Sequence, residues 1–275
     1  MTINQEGAAD AAPLDPPPPE TISGGPPPAD PPPLDPPPLE QAVTSGPEGW
    51  RGVLARERGL LLVLVIIAGA LFLFLEIASE VMEGDTLAID RSILVGLRDA
   101  ANPEQPIGPG WLNEAMTDLT SFGSTTGLLL VSAAVIGFLL ISRRPWTALF
   151  VLGATGGGAI MGMLLKLLYE RPRPNVVPHL VDVTWASFPS GHATDSAIVY
   201  LTLAALLART TKRRAERFYI IGAAVLLTVS IGISRVYLGV HWPSDVLAGW
   251  TIGCSWALLC SIAYRRFQRQ QSPAP

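Results

Sequence analysis

Ser234-Arg235-Val236-Tyr237-Leu238-Gly239-Val240-His241-Trp242-Pro243-Ser244-Asp245 separates two long apolar segments and gathers an arginine, a histidine and an aspartate between them. Pro243 suits the first position of a helix, where its missing N–H costs nothing, so Asp245 falls on the first turn just beyond His241. A carboxylate there can reach back to the imidazole. Held by that bond, one ring nitrogen is a fixed donor and the other keeps a free lone pair, as a nucleophile requires. Arg235 is placed to hold an anion. A plainer reading of the same residues is a capping contact at a helix start and an arginine snorkelling to a lipid surface.

Around this stretch, further apolar runs span about 59–78, 127–141, 147–168, 193–208, 219–234 and 246–264. About 20 helical residues cross a hydrocarbon core. The pattern predicts an all-α, polytopic membrane protein, a bundle of six transmembrane helices whose second and fourth members need extension at their ends. Composition agrees: the 275 residues are 49% hydrophobic but only 15% charged, against a soluble average near 25%. Between the first two runs, Leu87, Ile89, Ile93, Leu94 and Leu97 predict a short surface helix.

Residues 1–50 are rich in Pro, Ala, Asp and Glu, with a near-repeat in Pro16–Glu20, Pro31–Asp35 and Pro36–Glu40. Such a segment cannot bury a core and is expected to be a disordered acidic tail. It carries no Lys or Arg, so the formal net charge of −4 conceals a net basic remainder. Three parts follow: the tail (1–50), a first transmembrane helix with its loop and surface helix (51–126), and a catalytic helical bundle (127–270).

The basic residues fix an orientation. Arg51, Arg56 and Arg58, then Arg143 and Arg144, Arg209 to Arg217, and Arg265, Arg266 and Arg269 all fall on one side of six crossings. By the positive-inside rule that side is cytoplasmic, with both termini, and the Ser234–Asp245 stretch is extracytoplasmic. No basic stripe interleaved with aromatics points to nucleic acid. Cys254 and Cys260 are six residues apart, about 9 Å along a helix and too far to bridge. Gly158 and Gly162 form a small-xxx-small pair that permits close helix packing within the bundle. Trp146, Trp185 and Trp242 read as interfacial anchors, and Glu76 and Asp195 as acids inside membrane helices.

Two more clusters share the outer face. Lys166 is followed after six residues by Arg173-Pro174, two cations able to converge on one anion. Pro189-Ser190-Gly191-His192 opens the fourth apolar helix: Ser190 suits an N-cap, Gly191 lets a ligand approach the backbone, and the helix N-terminus favours an anion. His192 is placed to protonate a leaving oxygen. Cationic clamps, a helix-terminal anion site and two histidines on one face fit phosphoryl transfer, with Lys and Arg taking the place of magnesium.

These residues resemble the type 2 phosphatidic acid phosphatase (PAP2) superfamily of membrane phosphatases. Its pattern Lys-x6-Arg-Pro, Pro-Ser-Gly-His and Ser-Arg-x5-His-x3-Asp stands here as Lys166/Arg173-Pro174, Pro189-Ser190-Gly191-His192 and Ser234-Arg235/His241/Asp245. The resemblance implies His241 as the nucleophile forming a phosphohistidine, Asp245 as its orienting partner and His192 as the acid, later activating water. It implies Lys166, Arg173, Ser190, Gly191 and Arg235 as phosphate-binding residues, with no metal and no cofactor. The roles of Arg171 and Asp195 it leaves open. The expected substrate is a lipid phosphate or diphosphate reached from the outer leaflet, such as phosphatidic acid, phosphatidylglycerol phosphate or undecaprenyl diphosphate. Two alternatives are a lipid phosphotransferase with the same site and a metal-dependent hydrolase using His192/Asp195 and His241/Asp245 as ligands.

Overall fold

The structure, a computed structural model, describes residues 50–183 and 185–271. The proline-rich tail expected over 1–50 lies outside them, save Trp50. Among the described residues there are eight α-helices and no strand: α1 Trp50–Glu83, α2 Leu87–Gly96, α3 Gly110–Ser121, α4 Thr125–Ile141, α5 Pro145–Tyr169, α6 Gly191–Leu207, α7 Arg214–Tyr237 and α8 Pro243–Gln271.

Each of the six apolar runs is helical, but they differ in reach. Four are long and apolar enough to cross a membrane alone: Arg58–Glu83, Pro145–Tyr169, Arg214–Tyr237 and Pro243–Gln268. The helix α4 meets the same test only together with α3, across a bend of 49°. At 17 residues, α6 is shorter than a full crossing. Length and composition thus give four spans, or five with the bent pair, where six crossings with a short second and fourth member were expected. Lateral position explains the short helix, because α6 is the innermost element. Ala193, Thr194, Ser196, Ala197, Ile198, Val199, Thr202 and Ala204 are all buried on it, so its length is matched to its neighbours more than to lipid.

Small residues let the neighbours close on α6. A Cβ on Gly249 of α8 would lie 2.9 Å from the Ser190 carbonyl oxygen, and one on Gly253 would lie 2.7 Å from that of Thr194. On α5, a Cβ at Gly158 would sit 2.6 Å from Ile198 of α6, so this glycine packs inside the bundle as expected. Against this centre α1 contributes Phe74, Ala78 and Val81, which pack on Phe188, Ala248 and Ile252.

The helix α2 is present, but its buried side is not its apolar one. Asp90 and Leu94 face inward, whereas Leu87, Ile89 and Ile93 are exposed. The carboxylate turns inward because its partners, Arg171 and the Ser244 N–H, lie there. Trp242 is a second correction: it is 6% exposed, donates from Nε1 to the Pro172 carbonyl and stacks near Arg171, so it is no interfacial anchor. Trp146 and Trp185 are exposed, and Glu76 points outward from α1.

Candidate active site

The turn between α7 and α8 places His241. Gly239 adopts φ +75°, and a Cβ there would sit 2.6 Å from Arg98 Nη2, so only glycine fits the turn. Pro243 opens α8 and Asp245 lies in its first turn. The Asp245 carboxylate performs both functions that its position allows. Its Oδ2 accepts the Trp242 backbone N–H at 2.9 Å, a helix-capping contact, and faces His241 Nδ1 at 3.4 Å. Ser187 Oγ donates to the same oxygen at 2.5 Å and lies 3.3 Å from Nδ1.

The opposite ring nitrogen fixes the tautomer. Arg173 Nη1 lies 3.3 Å from His241 Nε2, and a guanidinium only donates. Nε2 therefore carries the lone pair and Nδ1 the proton directed at Asp245. Complete burial pushes the His241 imidazolium pKa down to about 3, against the pull of Asp245 and with Arg173 and Arg235 adding to the fall. The ring is neutral at pH 7. Arg173 is also lowered by burial, partly offset by Asp245.

Beside His241 lies a cavity of about 1200 Å³, whose lining includes Lys166, Arg173, Gly191, His192, Arg235 and His241. Lys166 reaches it from the last turn of α5 and donates to the Ala186 carbonyl at 2.8 Å. Arg173 is held by the carbonyls of Trp185 and Val240, both at 2.7 Å. Arg235, from the last turn of α7, donates through Nη1 to Thr120 Oγ1 at 2.9 Å. Its buried Nε has no hydrogen-bond partner among the described residues. The α6 N-terminus enters beside Lys166, since a Cβ on Gly191 would lie 3.4 Å from Lys166 Cε. The first N–H groups of such a helix lack intrahelical partners and are oriented for an anion.

Seven of the eight sequence candidates thus meet around this cavity or directly behind it. Ser190 departs in detail. It occupies the N-cap position of α6 with extended backbone, yet its side chain makes no capping bond, and its buried Oγ has no partner among the described residues. Asp195 lines the cavity as well, while His179 lies in the loop between α5 and α6, bonded to the Pro174 carbonyl. Among the described residues, no group of three or more His, Cys, Asp or Glu side chains is disposed to hold a metal ion.

Sequence reasoning missed Ser187, Thr120 and Asp90, and left Arg171 unplaced. Arg171 Nη1 donates to Asp245 Oδ1 at 2.6 Å, and Nη2 to Asp90 Oδ2 at 2.9 Å. An acid amid the apolar residues of α2 was the available signal for Asp90. Ser187 and Thr120 carried none, being ordinary loop and helix polar residues.

A family model described as the PAP2 superfamily matches residues 144–269. Phosphatidylglycerophosphatase B of Bacillus subtilis is 38% identical over 146 residues, covering 52% of this chain and 70% of that protein. An undecaprenyl-diphosphatase of Sulfolobus acidocaldarius is 32% identical, covering 55% and 69%. The crystal structure of a transmembrane PAP2-type phosphatidylglycerolphosphate phosphatase from Bacillus subtilis superposes with a TM-score of 0.64 at 28% identity, over 76% of this chain and 98% of that one. The chain belongs to the PAP2 superfamily. It is a phosphatase of the PAP2 type, built as a multi-pass membrane protein.

Proposed function

We propose that this protein hydrolyses a lipid phosphate or diphosphate on the extracytoplasmic face of a cell membrane, without a metal, through a phosphohistidine at His241. The observation that carries this reading is the Arg173 contact, which marks Nε2 as the lone-pair nitrogen of a neutral, buried imidazole that lines a cavity ringed with cations.

In the first half-reaction, Nε2 attacks phosphorus while the bond to the leaving oxygen breaks. His192, entering as the imidazolium once the phosphate anion is bound beside it, supplies the proton to that oxygen, whether lipid alcohol or terminal phosphate. Asp245 balances the charge that develops on the His241 ring. Lys166, Arg173, Arg235 and the Gly191 end of α6 hold the equatorial oxygens, where charge accumulates in the transition state. Arg173 exchanges neutral acceptors for a phosphate oxygen in doing so. Ser190 joins this group through its unpartnered hydroxyl. In the second half, His192 takes a proton from water, which attacks phosphorus; the P–N bond breaks and inorganic phosphate leaves.

The substrate class follows the relatives, which act on phosphatidylglycerophosphate and undecaprenyl diphosphate. The outward orientation is supported by Arg143, Arg144, Arg209–Arg217, Arg265 and Arg266, which sit at the helix ends opposite the site. The test is phosphate release from a panel of lipid mono- and diphosphates with EDTA present. Wild type is expected to release phosphate, and His241→Ala to lose on the order of 10³-fold or more. Equal release by both, or release only with added metal, contradicts the proposal.

A further inference from the structure

Behind His241 lies a set of charges that the phosphate chemistry does not use. Arg171 is 7% exposed, Asp90 2% and Asp245 0%. The guanidinium is divided between two helices. Its Nη1 donates to Asp245 Oδ1 at 2.6 Å and Ser244 Oγ at 2.8 Å, both in the first turn of α8. Its Nη2 donates to Asp90 Oδ2 at 2.9 Å and Thr86 Oγ1 at 3.2 Å, at the start of α2. Asp90 also binds α8 directly, accepting from Ser244 N at 2.9 Å and Ser244 Oγ at 2.5 Å. The Arg171 carbonyl accepts the Ser187 N–H at 2.8 Å, which sets the hydroxyl that donates to Asp245 Oδ2.

We propose that Arg171, anchored by Asp90 of α2, is a positioning residue for the Asp245–His241 pair. The bond to Oδ1 fixes the carboxylate plane so that Oδ2 meets Nδ1, and the bond to Asp90 fixes the guanidinium. Neither residue touches the reacting phosphorus. Asp90 lies outside residues 144–269, the span of the family match, so the segment preceding that span completes the site. A purely structural ion pair would not need its arginine to grip the same carboxylate that faces the histidine. Arg171 makes that grip with the shorter of its two carboxylate bonds.

This proposal rests on the reading of His241 as nucleophile and is tested beside it. The variants are Asp90→Asn, Arg171→Lys, the double variant Asp90→Asn/Arg171→Gln, and His241→Ala, each assayed on the preferred lipid phosphate. Asp90→Asn and the double variant are expected to lose about 10- to 100-fold in kcat with KM within about twofold of wild type, as misorientation of a catalytic group does. Arg171→Lys, which keeps the charge but can grip only one carboxylate at a time, should fall between them and wild type. Asp90→Asn keeps the Arg171–Asp245 pair balanced, so it reports even if the double variant, which leaves Asp245 without its cation, does not fold. Wild-type kcat in Asp90→Asn or in the double variant, with His241→Ala inactive, overturns the positioning role and leaves the nucleophile standing. Full activity in His241→Ala overturns both.

Discussion

The two sides of His241 are built on opposite electrostatic rules. On the cavity side, Lys166, Arg173 and Arg235 are held by neutral acceptors, the carbonyls of Ala186, Trp185 and Val240 and the Thr120 hydroxyl. Among the described residues none of the three forms a salt bridge. On the far side, Arg171 is clamped between the carboxylates of Asp90 and Asp245. A cation on a carbonyl can exchange that partner for a phosphate oxygen at small cost, since the new bond is charge-assisted. A cation between two buried carboxylates cannot be withdrawn without leaving a charge unpaired. One side is arranged to receive an anion and the other to stay still.

Substitution on the two sides should therefore damage different properties. Lys166→Met is expected to reduce kcat/KM by about 10²- to 10³-fold, the usual cost of removing a donor that meets transition-state charge, while the thermal midpoint stays close to wild type. Arg171→Met should instead lower stability by about 3–5 kcal/mol, because it strands two buried carboxylates. Parallel thermal unfolding in detergent and phosphate release would show this crossing. If Lys166→Met destabilises the protein as much as Arg171→Met, the distinction between the two sides fails.

A smaller effect concerns pH. Burial holds the His241 pKa near 3 in the fold, against the ordinary value of 6.5 that the unfolded chain regains. The unfolded state thus binds more protons between those values. The contribution of the neutral ring to stability is complete above about pH 6.5 and is lost as pH falls towards 3. Wild type should lose thermal stability more steeply than His241→Asn between pH 6.5 and 4.5. Identical slopes would show that the ring takes up protons as easily folded as unfolded.

These contrasts also mark what the sequence could disclose. His241, Asp245 and Pro243 were readable together because proline sets a helix start and a four-residue spacing then brings carboxylate to imidazole. Lys166, Arg173, Gly191, His192 and Arg235 were readable because each stands where an apolar run ends, so they had to share one face. The back of the site was not readable. Asp90 and Arg171 are 81 residues apart, and their pairing depends on how α2 settles against α8, which no local spacing encodes. The inward turn of Asp90 runs against the apolar periodicity of α2, because its carboxylate is held by Arg171 and Ser244, which lie far off in sequence. Ser190 shows the reverse error: its position at a helix start predicted a capping bond that its hydroxyl does not make. The shortness of α6 was visible in its run of residues, whereas its central place was not.

The most direct test of the mechanism is to trap the intermediate. Purified protein turning over lipid labelled with ³²P in the scissile phosphate would be quenched in alkali, where a phosphohistidine survives, and the label located by peptide mapping. A nucleophilic His241 predicts label on the peptide carrying that residue, its absence in His241→Ala, and its persistence in a His192→Ala protein that hydrolyses the intermediate slowly. Phosphate release at the wild-type rate with no protein-bound label in either wild type or His192→Ala would contradict a covalent mechanism and leave direct attack by water in its place.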